Sequence, residues 1–459
     1  MTYKLLIIAA LATFIFFNCA EDNAEKSQGG VDNTIFVKHS TSNEESHPGL
    51  KINDILGTTV HTCWDDSAGC QDAMEFEFTK LEEVGVKTIR HDFTWSEIEP
   101  EDDNYNLSGP QKLADAAKEH GIEVIALLDY CNSWACEDDN TSTIDVEKFA
   151  QYAGKIAKTL KDELTYYEVW NEENLAPRFW KPATDPAKYG ELLKAAYTAI
   201  KQNDPDAKVL FGGLAPLYTR SMYPDPHGIW GFYYQVKYYH PDIDNYFDIF
   251  SIHPYTAGQF LPPDFELPLQ KIIAPTIGKA IQYAQEMTNK PVWITEFGWP
   301  SFYMSEDIQA AYLARGFIIA AHQRAERALW YTFWDSTGNT TEDRFGLFHP
   351  DRTEKPSYLA LKTLHELLGE LRPLENAADH LKLQPWEVAY LFIDDQDNPK
   401  ALAIWSVAPG SQRSAKIKIP FSDGPYKIYD MTGDLEKSTN DKGEEIEINI
   451  SDYPIYILW

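Results

Sequence analysis

Positive charge is scarce in this chain. Its 459 residues carry 40 lysines and arginines against 71 aspartates and glutamates, a formal balance of 40 − 71 = −31. A surface this acidic repels phosphate backbones and anionic lipid, which argues against nucleic acid as a partner. Cysteine is scarce too, with five residues in all. The four beyond Cys19 stand at x6 (Cys63, Cys70) and x4 (Cys131, Cys136), spacings that fit no common zinc motif. There is no Gly-rich phosphate loop, no internal repeat, and no low-complexity stretch beyond an N-terminal tether. Disorder is not the default either, because 44% of the residues are hydrophobic, enough for a packed core.

The one extended apolar run lies at the start. Lys4 precedes residues 5–17, all apolar or small, and Asn18-Cys19 follow. The run is too short to span a bilayer comfortably and has the form of an export signal over residues 1–18. Cys19 directly behind it resembles the lipidated residue of bacterial lipoproteins, so the expected location is outside the cytoplasm, on an outer membrane. The only membrane contact expected is that N-terminal anchor. Residues 19–48, polar and holding Gly29-Gly30, read as a flexible tether. In an exported chain the even count of remaining cysteines predicts two disulfides. Three pairings are open; the local ones, Cys63–Cys70 and Cys131–Cys136, are favoured because each brackets a single loop.

From about residue 52 to 370, short apolar runs alternate with longer amphipathic stretches. The apolar runs are 55–60, 88–91, 124–128, 166–170, 209–212, 247–253, 292–295 and 328–333. The helix-like stretches are 71–84, 111–120, 146–164, 186–202, 232–239, 269–288 and 308–322, with one more after Leu361. Strict alternation implies a parallel sheet, because parallel neighbours need crossover connections. Eight such units predict a (β/α)8 TIM barrel over 49–370, with an open doubly wound sheet as the runner-up. Near Leu371-Arg372-Pro373 the texture changes to short alternating runs separated by Pro409-Gly410, Asp423-Gly424-Pro425 and Thr432-Gly433. Residues 371–459 therefore read as a small antiparallel β-sandwich.

Two glutamates close apolar runs far apart in sequence. Glu172 ends Tyr167-Glu168-Val169-Trp170-Asn171-Glu172, and Glu296 lies in Val292-Trp293-Ile294-Thr295-Glu296-Phe297-Gly298. By count they terminate strands 4 and 7, where barrel residues face the active site. In this the chain resembles clan A glycoside hydrolases, which carry the acid/base after strand 4 and the nucleophile after strand 7. Within the clan it is most similar to family 39, through Trp170-Asn171-Glu172-Glu173-Asn174-Leu175 and Phe211-Gly212-Gly213-Leu214-Ala215-Pro216. The family usually has proline where Glu173 stands.

The resemblance implies a retaining glycosidase that takes a carbohydrate substrate and uses no metal and no organic cofactor. Glu296 would be the nucleophile and Glu172 the acid/base. Asn171 would bond the sugar 2-hydroxyl. His253 and Tyr255 would line the site after strand 6, with Tyr255 reaching the nucleophile. Arg90, ending strand 2, would hold Glu296 ionised or pair with Asp92. Trp334, after strand 8, would offer an indole face to a sugar ring. Trp64, Trp95, Trp134 and Trp180 stand in loops and are equally explained as core. The competing reading is a surface glycan-binding lipoprotein on a catalytically inactive barrel.

Overall fold

The computed structural model describes residues 48–65, 67–137, 140–216, 229–256, 261–264, 275–439 and 445–459. The predicted signal (1–18), Cys19 and nearly all of the tether lie outside these residues. Among the described residues no helix is long and apolar enough to cross a membrane.

Eight parallel strands close into a barrel in chain order: β1 (Leu56–Thr59), β2 (Thr88–Thr94), β3 (Glu123–Asp129), β4 (Tyr166–Asn171), β5 (Lys208–Leu214), β6 (Ile249–Ile252), β7 (Val292–Phe297) and β8 (Arg327–Trp330). β1 pairs with both β2 and β8, which seals the cylinder. The crossovers are α1 (Ala68–Glu83), α2 (Ser108–Glu119), α3 (Val146–Leu160), α4 (Pro186–Asn203), α5 (Ile229–Tyr239), α6 (Ile277–Met287) and α7 (Glu306–His322). An eighth, α8 (Pro356–Thr363), continues as a π-turn through Leu364–Leu368.

The starts of these helices are written locally. Ser67, Asp145, Asp185, Thr276 and Ser305 each accept a backbone N–H of the first turn. This satisfies donors the helix leaves orphaned and is worth about 1 kcal/mol per cap. Outward strand residues such as Ile89, Val169 and Phe211 pack under the helices in the main core. Inside the barrel, Ile125, Leu210, Ile249, Trp293 and Leu329, with Tyr166 against them, form an apolar floor. Two residues further along their strands, Glu168 and Thr295 begin a polar layer.

Beyond the barrel, β9 (Arg372–Asn376), β10 (Glu387–Ile393), β11 (Pro399–Ser406), β13 (Tyr426–Tyr429), β14 (Leu435–Thr439) and β16 (Ile455–Leu458) make a six-stranded antiparallel sheet. A two-stranded sheet of β12 (Gln412–Ile417) and β15 (Ile446–Ser451) covers one face through a small core that includes Ile404, Ile417, Ile448 and Ile457. The other face, carrying Val388, Phe392, Trp405 and Tyr456, is continuous with the barrel core. Residues 44–459 form one compact unit. α7 lies between barrel and sheet, which explains a sequence apolar all round: every residue from Gln309 to Ala321 is buried.

Candidate active site

Both glutamates stand at the C-terminal mouth of the barrel, but neither is presented by a regular strand. Along β4, Tyr166 and Glu168 point inward. Trp170 then takes a left-handed backbone (φ 74°) and Glu172 another (φ 47°). Such conformations are costly for large side chains and persist where the surroundings over-determine them. The twist sends Trp170 outward against Phe149 and Trp180, where its indole donates to the Phe179 carbonyl. Asn171 and Glu172 are thereby left facing the cavity. On β7 a bulge does the same work: three residues, Ile294 to Phe297, advance while β8 advances two, Ala328 to Trp330. The extra residue brings consecutive Thr295 and Glu296 into the barrel interior.

The two carboxyl groups face each other. One oxygen of Glu172, one of Glu296 and a His253 ring nitrogen all lie within 4.8 Å of one another. Glu296 accepts from Arg90 Nη1 at 2.5 Å and from the Tyr255 hydroxyl at 2.9 Å. Burial alone would raise the pKa of Glu296, but His253, Arg90 and the Tyr255 hydrogen bond outweigh it and hold the carboxyl below its ordinary range. Arg90 is 2% exposed and also pairs with Glu168 Oε2 and donates to Asn171 Oδ1 at 2.9 Å. Its ion-pair partners are thus Glu168 and Glu296 rather than Asp92. Asn171 Nδ2 donates to the Tyr130 hydroxyl at 3.0 Å.

The cavity above them is about 360 Å³ and is walled by His61, Asp92, Tyr130, Phe179, Tyr331 and Phe345 as well as by Arg90, Asn171, Tyr255 and the two glutamates. That volume lies at the small end of ligand pockets. Arg178, from the loop after β4, meets Glu342, from the loop after β8, at 3.6 Å on the rim. Asp92, half-buried at the cavity wall, and the fully buried Asp129 are neighbouring carboxyls. Burial and the Asp92 charge push Asp129 well up, while the His61 and Arg90 side chains bring Asp92 down against its burial cost. One of the pair stays ionised and presents an acceptor to the cavity.

Two predicted site residues are elsewhere. Trp334 does not line the cavity: β8 ends at Trp330, Tyr331 takes the wall position, and Trp334 stacks on Phe76 and packs against Phe333 and Phe348. His253 does not line it either. It is fully buried behind the carboxylates, with Nδ1 at 3.0 Å from Glu172 Oε1 and 3.7 Å from Glu296 Oε2. The sequence reading gave no role to Glu168, His61, Tyr130 or Tyr331. Glu168 had a signal: a lone charge inside an apolar strand demands a buried partner, and Arg90 is another such charge. Of the four loop tryptophans, Trp95 and Trp180 are fully buried core, and Trp64 and Trp134 pack against it. Glu173 is buried too, and burial pushes its carboxyl well up. Gly212 makes room for it, because a Cβ there would collide with its carboxyl group. Two disulfides, Cys63–Cys70 and Cys131–Cys136, clamp the loops after β1 and β3 at the same rim.

Facing glutamates at the ends of the fourth and seventh strands of an eight-stranded barrel are the arrangement of the clan A retaining glycoside hydrolases, and the chain is one of them. Its residues 51–340 match the model of the cellulase family (glycosyl hydrolase family 5), and the chain belongs to that family. Solved structures extend the fold likeness. A family 39 glycoside hydrolase from the gut symbiont Bacteroides cellulosilyticus WH2 has a TM-score of 0.72 at 24% identity, over 90% of this chain and 82% of that one. A monomeric β-xylosidase from Caulobacter crescentus CB15 has a TM-score of 0.62 at 18% identity, over 90% and 97%. The family 39 enzyme from Xanthomonas axonopodis pv. citri gives 0.60 at 17%, over 89% and 95%. No curated protein matches the chain. The clan expected from the motifs holds. The matching family model is that of family 5, whereas the nearest-looking motifs and these folds are those of family 39.

Proposed function

We propose that Glu296 is the nucleophile and Glu172 the acid/base of a double displacement on a β-linked oligo- or polysaccharide. The observation that carries this reading is that one oxygen of each comes within 4.8 Å of one oxygen of the other. Retaining pairs stand about 5–5.5 Å apart and inverting pairs about 6.5–9.5 Å, the wider gap holding a water. In the first step Glu296 attacks the anomeric carbon, the bond to the leaving oxygen breaks, and that oxygen takes the Glu172 proton. In the second, Glu172 removes a proton from water. The water oxygen displaces Glu296 from the anomeric carbon, and both side chains return to their starting states. Arg90 and Tyr255 favour ionised Glu296 before attack. Asp92, His61 and Asn171 are the polar wall groups suited to sugar hydroxyls.

Replacing either glutamate by alanine tests the roles. Both variants are expected to lose at least about a thousandfold in turnover of an aryl glycoside. Azide should then rescue Glu172→Ala with a product of retained configuration and Glu296→Ala with one of inverted configuration. Near-normal turnover by Glu296→Ala would remove the assignment.

We also propose that the chain is exported and held to a membrane by lipid on Cys19, a reading supported by the apolar run that ends just before it. Metabolic labelling with a radioactive fatty acid should mark the protein and leave Cys19→Ala unlabelled. Equal labelling of the variant would rule the anchor out.

A further inference from the structure

The proposed chemistry leaves Glu168 and Thr295 unused, yet both are fully buried beside it. They complete a chain of hydrogen bonds that joins the two facing glutamates through the barrel interior. His253 Nδ1 meets Glu172 Oε1 at 3.0 Å, and its Nε2 meets Thr295 Oγ1 at 3.1 Å. Thr295 Oγ1 donates to Glu168 Oε1 at 2.8 Å. Glu168 Oε2 accepts from Arg90 Nε, and Arg90 Nη1 reaches Glu296 at 2.5 Å.

The donors and acceptors along this chain fix where its protons lie. Glu168 faces a guanidinium, so both its oxygens are acceptors. The single Thr295 hydroxyl proton therefore goes to Glu168, and Thr295 can only accept from His253. That places a proton on Nε2. In the neutral imidazole Nδ1 is then a lone pair aimed at a Glu172 oxygen. Two lone pairs at 3.0 Å repel, so the contact needs one proton between them, carried by Glu172 as an acid or by His253 as imidazolium. The opposite tautomer would require the Thr295 proton to serve Glu168 and His253 at once.

We propose that Glu168 and Thr295 are positioning residues that lock His253 in its Nε2–H form, so that one proton is confined between His253 and Glu172 for delivery to the leaving group. The inference rests on the reading of Glu172 as acid/base. It also gives the second step a driving element. Once Glu172 has released its proton, its carboxylate faces the Nδ1 lone pair, which makes it a stronger base toward the incoming water. The other groups around His253 do not undo the lock. From β5, Gly213 lies against the ring, and its missing Cβ is what admits it. From β7, Glu296 lies 3.7 Å from Nδ1, and its negative charge draws a proton toward that nitrogen; with Nε2 kept protonated by Thr295 this favours the imidazolium, not the opposite neutral tautomer. Tyr255, on its own segment, gives its hydroxyl to Glu296, and Arg90 from β2 reaches His253 only through Glu168 and Glu296.

Thr295→Val keeps the shape and removes the hydroxyl. His253 can then turn to its Nδ1–H form and donate to the Glu172 carboxylate, so Glu172 gives up its proton more readily. The basic limb of kcat/KM is expected to move down by about one pH unit, the size of one net hydrogen bond. On substrates with poor leaving groups turnover should fall about tenfold. Thr295→Ser should restore both. In Glu168→Gln the amide oxygen takes Arg90 and the NH2 faces Thr295, which reverses the bond to His253 and predicts a shift in the same direction. An unmoved basic limb in a folded Thr295→Val would overturn the proposal. Nitrogen-15 NMR of the His253 ring in the unmodified protein is a second readout, independent of catalysis and of whether any variant folds. Protonated Nε2 supports the lock, and a neutral ring protonated at Nδ1 refutes it. Failure of azide rescue in Glu172→Ala would remove the acid/base role while leaving that spectrum standing, so the two failures are told apart.

Discussion

Arg90 and Glu168 show how a buried charge can serve chemistry instead of stability. Moving an arginine into a barrel costs several kcal/mol in lost hydration, recovered only if every donor finds a well-placed acceptor. Here Nε, Nη1 and Nη2 find Glu168, Glu296 and Asn171. The consequence is testable through pH. Because the Glu296 carboxyl lies below the ordinary 4.5 despite burial, with His253 and Arg90 as the groups that lower it, the nucleophile stays ionised into acid solution. The acid limb of kcat/KM, which reports the free enzyme, should fall below pH 4.5. A depressed carboxyl stabilises the fold above its unfolded pKa and loses that contribution as pH falls toward the folded value. Stability from this group is therefore flat above 4.5, declines below it, and is gone once both states are protonated. Urea unfolding across pH 3 to 6 in wild type and Glu296→Gln measures it; identical pH slopes below 4.5 would sink the claim. At this scale the sequence was readable where a charge interrupts an apolar strand, as at Arg90 and Glu296. It misled at Trp334, since the end of a strand cannot be counted to within three residues when the strand stops at Trp330 and the aromatic run continues.

The eight strands were legible as elements because strands covered on both faces read as near-continuous apolar runs, and helices between them alternate with turns. What alternation could not yield was the phase at the mouth of the barrel. A period of two allows only every second residue to face inward, yet Thr295 and Glu296 both do, and so do Asn171 and Glu172. The bulge on β7 and the left-handed residues on β4 supply the missing half-step. β5 holds a second irregularity, with Phe211 to Leu214 set against Phe250 to Ile252 on β6. It coincides with Gly212-Gly213, where Cβ atoms would strike Glu173 and His253. The glycine pair was visible in the sequence, but its purpose depends on side chains that arrive from two other strands. The local disulfide pairing was readable for the opposite reason: the bonded cysteines are only 7 and 5 residues apart, so no tertiary knowledge is needed.

At the scale of the whole molecule the change of texture near residue 371 marks a change of architecture without marking a separable part. α7 carries Arg315, fully buried, which donates to the Asp452 carbonyl of the C-terminal region at 3.3 Å and pairs with Asp264 from the segment after β6. Trp405 of β11 donates to that same Asp264 at 2.6 Å and stacks on Tyr390, whose ring meets His322 at the end of α7. Val388, Phe392, Trp405 and Tyr456 of the sheet share the barrel's core. Burial of four side chains of this kind is worth about 6–12 kcal/mol by area, an upper figure that is comparable with the whole stability of a domain, about 5–15 kcal/mol. Removing the sheet would also take the Asp452 carbonyl from Arg315 and the Trp405 indole from Asp264, which leaves that ion pair without the hydrogen bonds that complete it. A chain ending at Leu371 is therefore expected to be insoluble, or to melt at least about 10 °C lower with loss of glycosidase activity, and the full chain should unfold in one calorimetric transition. A soluble, active truncation with unchanged melting would show instead that the sheet is an appended module. Two resolved transitions in the full chain would say the same.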